Sequence, residues 1–124
     1  MRNFANDERG AAALEYAFVL PALIGFAIAV MDLGRLVWTE VTLDRAVQVA
    51  ARCASVNSTN CGTNAAIQSY AATSAWGLHT PASSFIVTRL TCGVSVRVQA
   101  SFRYYVPWPK APTTVTSQAC YPLS

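Results

Sequence analysis

Between Ala11 and Met31 the chain carries 21 residues, AAALEYAFVLPALIGFAIAVM, in which Glu15 is the only charge. A hydrocarbon core of about 30 Å takes about 20 helical residues, so this run is long enough to cross a bilayer. A lone carboxylate costs about 2.5–3.5 kcal/mol at the bilayer centre and less toward the edge. Glu15 sits little more than one helical turn from the Ala11 end, so its burial is shallow. An acid in such a place calls for a positive partner. A cut after Gly10 would create one, the α-amino group of Ala11, most naturally on a neighbouring copy.

The acid does not stand alone. Arg9-Gly10 precedes Ala-Ala-Ala-Leu-Glu15-Tyr16, Pro21 interrupts the apolar run, and Met31-Asp32-Leu33-Gly34-Arg35-Leu36 closes it. Over residues 9 to about 54 this pattern resembles the TadE-like minor pilins (pseudopilins) of the tight adherence (Tad) type IV pilus system. Asp7-Glu8 departs from the pattern, leaving the leader neutral against Arg2 and Arg9. The resemblance implies processing between Gly10 and Ala11 by a prepilin peptidase. It implies assembly roles for Glu15, Tyr16 and Pro21. It also implies a place in assembly or priming of a Tad-type pilus, from a single-pass position in the bacterial inner membrane with the head in the periplasm. The partners would be the peptidase, the membrane and other pilin subunits met through the N-terminal helix, with incorporation into an extracellular pilus as one end point. No nucleic acid and no cofactor enter this reading.

A secretory signal is the competing reading, with Ala27-Ile28-Ala29 as a small-residue cleavage site before Val30. Against it, the apolar run exceeds a 7–15-residue signal core and holds an acid.

Beyond Met31 no proline interrupts the chain to Ala54, and only Gly34 disfavours a continuing helix. Leu36, Leu43, Val47, Ala50 and Ala54 fall on one helical face, with Arg45 opposite. Asp32 and Arg35 have the spacing of an exposed i, i+3 pair worth a few tenths of a kcal/mol. Asn57 to Thr63 reads as a polar turn, and Thr63 or Asn64 caps a second helix reaching about Trp76, stopped by Gly77. After Pro81 the period becomes two. Ser84 to Thr91 is one strand, and Val94, Val96, Val98, Ala100, Phe102 and Tyr104 alternate with polar residues along a second. Thr91-Cys92-Gly93 is the turn between them. The prolines of 106–112 exclude a central strand, and Thr113 to Cys120 returns as an edge strand.

The expected fold class is therefore α+β and pilin-like: a long N-terminal helix, membrane-spanning then amphipathic, a second short helix and a small antiparallel sheet. Its divisions are a leader (1–10), a transmembrane and assembly helix (11–31), an amphipathic continuation (32–56) and a small disulfide-stapled head (57–124).

Cys53, Cys61, Cys92 and Cys120 all follow the apolar run. An even count in a small domain on one side of a membrane reads as two disulfides in an oxidising compartment. Of three connectivities, Cys53–Cys61 with Cys92–Cys120 gives the shortest closures. With no C-x-x-C spacing and His79 the sole histidine, a zinc site has no support.

All six acids precede Arg45, and from Arg45 to the end there are five Arg and one Lys. A catalytic dyad or triad needs titratable groups held together, and the head has none to offer beyond His79, so an enzyme is not expected. A second class of function remains: a secreted or anchored binding module. Arg97 and Arg103 on a basic sheet face, with Tyr105 and Trp108 in the following loop, would serve it as a surface for an anionic ligand or partner.

Overall fold

The computed structural model describes residues 8–123. Of the leader expected over 1–10, residues 1–7 therefore lie outside the described residues. The chain forms a long helix α1 (Glu8–Val56), a single turn α2 (Ser58–Cys61), a helix α3 (Asn64–Ser74) and a 3-10 turn (Ala82–Ser84). Three strands follow: β1 (Phe85–Leu90), β2 (Gly93–Ser101) and β3 (Thr114–Tyr121). The architecture is α+β.

Helix α1 has 49 residues and runs through Pro21, so it is about 70 Å long at ordinary rise. Proline lacks the N–H that would bond Ala17, and the sequence suggests a loosening there; the helical assignment nevertheless continues across it. Among the described residues its first part has no protein neighbour. Residues 10–28 are exposed throughout, and only from Asp32 onward does the helix bury side chains.

The burying face follows the expected stripe. Leu43, Val47 and Ala50 are fully enclosed, and Ala46 and Ala51 join them. Three alanines at the centre of the stripe let α1 lie close to the sheet. Opposite them stand Val96 and Val98 of β2, Val115 of β3 and Phe85 of β1, with Ile67 and Ala71 of α3 closing the side. Helices α1 and α3 share one face of the sheet.

The sheet is antiparallel in the order β1-β2-β3. Phe85 pairs with Val98 and Val98 with Ser117, which puts the inward-facing residues of neighbouring strands in line. β1 is two residues shorter than expected, and β3 keeps the expected length shifted by one residue. β1 starts at Phe85 because Ala82–Ser84 forms a 3-10 turn first. β2 ends at Ser101, so Phe102 and Tyr104 continue the inward alternation beyond the ladder. Ser95 breaks the alternation: it was expected outward, yet it is buried, because the Gln118 amide crosses from β3 and donates to its Oγ at 3.0 Å.

The segment 57–63 is also more ordered than a turn. Asn57 accepts from the Asn60 amide and caps α2, and Thr63 accepts from the Ala66 amide to start α3. Gly77 takes φ +77 three residues after α3 ends. At Gly93 φ is +123, and a Cβ would strike the Tyr121 carbonyl. The β1–β2 turn therefore requires glycine at that point.

Both disulfides join the expected partners. Cys53–Cys61 ties the end of α1 to α2 across 8 residues, and Cys92–Cys120 ties the hairpin turn to β3 across 28. In the chain-entropy treatment, removing the longer closure costs about 3–4 kcal/mol. The double replacement Cys92→Ala with Cys120→Ala should lower stability by about that amount. Urea unfolding of the detergent-solubilised chain, followed by tryptophan emission, checks this; an unchanged midpoint would show the staple idle. Overpacking the alanine contact by Ala50→Leu should cost about 1–3 kcal/mol in the same assay.

Candidate functional site

Two regions of α1 hold the residues that matter, and they meet at Asp32. The lower region is the bare rod. Gly10 and Ala11 lie within the helix, exposed, and Glu15 and Pro21 are likewise exposed. Tyr16 and Phe18 are each 74% open. Helical geometry puts Ala22 and Ala29 almost directly above Glu15. On a neighbouring face Leu23, Phe26, Val30, Leu33, Val37 and Val41 fall in line, all more than half exposed. The stripe extends beyond Met31 on the side of α1 that the head leaves uncovered. Sequence reading found the buried stripe of the upper helix but not this second one.

At the upper end of the rod, Asp32 is only 1% exposed. Its carboxylate accepts from the Tyr105 amide at 2.9 Å and from the Val106 amide at 2.9 Å. Arg35, one turn on, donates to the other oxygen at 3.1 Å. The same guanidinium stands 4.3 Å from the Tyr105 ring centroid and 5.2 Å from that of Phe102, within cation–π range. It also reaches the Arg103 carbonyl at 3.5 Å. The reading of Asp32 and Arg35 as an exposed surface pair is thus corrected. The two form a clamp that holds the chain leaving β2 against the helix.

The physical reason was present in the sequence. Asp32 lies four residues before Leu36 on the apolar face, so packing that face must bury the acid. A buried carboxylate needs donors, and the amides of a loop with no strand partners supply them. Burial raises the Asp32 carboxyl, but the Val106 and Tyr105 amides and the Arg35 charge more than offset it and hold it below its ordinary value.

The remaining named residues are dispersed. Arg97 is on the outer face of β2, between Ile86 and Gln118, and four residues, about 13 Å of strand, separate it from Ser101. Arg103 is exposed but lies past the end of β2, so it does not belong to a sheet face with Arg97. Tyr105 is 71% and Trp108 49% exposed. The aromatic loop and Arg103 thus gather beside the Asp32 clamp, whereas Arg97 does not join them. An open groove of about 700 Å³ runs beside α1, and its titratable lining is Arg35, His79 and Arg103. Among the described residues no three His, Cys, Asp or Glu side chains cluster as metal ligands.

A depressed carboxyl gives a signed expectation. The contribution of Asp32 is complete above the unfolded value, near 3.8. It declines as pH falls below that value and is gone once pH drops under the folded one. Asp32→Asn should therefore flatten the acid loss of stability that sets in as pH falls through the unfolded value near 3.8. It should also speed hydrogen exchange at Tyr105 and Val106. Unchanged exchange at those two amides would contradict the clamp.

Comparison with known proteins bears on the helix and not on the head. No curated protein and no solved structure matches the chain. A family model does match, over residues 10–52, and it describes a TadE-like protein. That interval covers the bare rod, the Asp32 clamp residues on α1 and most of the buried stripe, so the likeness to TadE-like proteins lies in α1.

Proposed function

We propose that this chain is a minor pilin or pseudopilin, cut after Gly10, that takes part in assembling or priming a Tad-type pilus. It is stored in the inner membrane, with its stapled head in the periplasm, until its rod joins a bundle of like helices. The prepilin peptidase and other pilin subunits are the partners of this reading, and it assigns no catalysis to the chain.

The observation that carries it is the division of α1. A helix of 49 residues leaves its first part without a neighbour while its second part serves as the spine of the head. The lower part is long and apolar enough to cross a membrane. Its exposed apolar surface also extends up to Val41, beyond the end of the apolar run at Met31, and on this reading lipid does not cover that extension. A stripe of that kind suits helix packing both within the bilayer and above it. Glu15 supplies the polar element that a bundle of otherwise greasy rods needs to fix register, through the Ala11 amine of a neighbour.

The N-terminal residue of protein purified from its native membrane tests the processing step. Ala11 is expected, and a start at Val30 would instead mark a secretory signal. Glu15→Gln should leave membrane insertion intact and lower incorporation into filaments about five- to thirty-fold. That is the effect of losing about 1–2 kcal/mol of interhelical polar contact. Normal incorporation of the variant, measured by immunoblot of sheared filaments, would refute the pairing with the amine.

A further inference from the structure

The geometry points to a membrane-surface foot on the head: the loop after β2 rests in the headgroup layer and prefers anionic lipid. This rests on the membrane-anchored reading of the rod. From Ser101 the chain descends along α1, with Phe102 beside Arg35 and the Tyr105 and Val106 amides on Asp32. Residues 107–110 form the tip, and the chain returns to β3 at Thr114. Asp32 follows the last residue of the apolar run, so the clamp fixes the loop's height. Headgroups extend about 5–8 Å beyond each side of the hydrocarbon core. The turn from Asp32 to Arg35 lies within about 6 Å of Met31. Tyr105 and Val106 are therefore level with the lipid headgroups, and the tip follows Val106 directly in the chain.

The side chains at that level have the chemistry of the interface. Tyr105, Pro107, Trp108 and Pro109 are exposed, and tyrosine and tryptophan favour the boundary between hydrocarbon and water. Arg103 precedes them and Lys110 follows them in the chain, while the charge of Arg35 is matched by Asp32. The acid at this height, Asp32, is buried and paired. The next one, Glu40, lies about 13 Å above Met31 along the helix. The foot thus presents net positive charge to the membrane, and each cation close to an anionic surface shifts the balance toward contact about five-fold. Lys110 takes φ 63, a left-handed conformation that turns the chain sharply at the tip.

The full chain is reconstituted into vesicles of phosphatidylethanolamine with phosphatidylglycerol, and separately into neutral phosphatidylcholine. Some of the lipid is brominated near the glycerol end of the acyl chains. Trp108 is isolated as the difference between the native chain and Trp108→Phe, and again in a chain with Trp38→Phe and Trp76→Phe. Emission from Trp108 should be quenched by the brominated lipid and shielded from aqueous acrylamide, more strongly in the anionic vesicles. Lys110→Ser should lower the docked-to-free ratio about five-fold there and change little in neutral vesicles. Sedimentation with vesicles after an alkaline wash reads the rod separately. If the chain washes off, the anchored reading fails. If it stays while Trp108 is open to acrylamide, the foot alone is wrong. Shielding without quenching by lipid would assign the loop to a protein neighbour and overturn the inference equally.

Discussion

Asp32 sits where the apolar rod ends and the head begins, and its carboxylate is the contact on which their junction depends. Two loop amides and one guanidinium satisfy it. Without them the buried stripe of α1 would start with an unpaired acid, an arrangement that folded proteins avoid. With them the chain beyond β2 becomes a continuation of the helix surface, and Arg35 is held between two aromatic rings. A single acid thereby links residues more than 70 positions apart.

The rest of the head is small and depends on close packing. Alanines at 46, 50 and 51 remove the side-chain bulk that would separate α1 from the sheet. The aliphatic residues of β2 and the ring of Phe85 fill the space. A sheet of three strands with one covered face buries little apolar area, and two disulfides compensate by restricting the unfolded chain. Each closes the head at a point where a helix or strand would otherwise fray: the end of α1 and the end of β3.

Period and spacing made most of this legible from the residues. The 3.6-residue stripe from Leu36 to Ala54, the alternation from Val94 to Phe102 and the turn glycines at 77 and 93 all act locally, so they can be read locally. Cysteine pairing followed from loop length. Contacts between distant segments were not legible in the same way. Ser95 is buried by a glutamine from another strand, and the height of the 102–106 loop is set by an acid on the helix. The uncovered stripe through Val37 and Val41 escaped notice because periodicity shows which residues share a face, not which of two faces the sheet will choose. At Asp32 the signal was present but misread as a surface pair: an acid in line with Leu36 had to be buried or break the pattern.

Because α1 is one piece, the head has no independent joint with respect to the rod. Pro21, with its missing backbone donor, is the softest point along the shaft and lies inside the apolar half. The helix extends about 50 Å from there to Val56. A swing of about 10° at that pivot would carry the top of the head sideways by about 9 Å while leaving its internal contacts untouched. The molecule is a lever whose fulcrum is at Pro21.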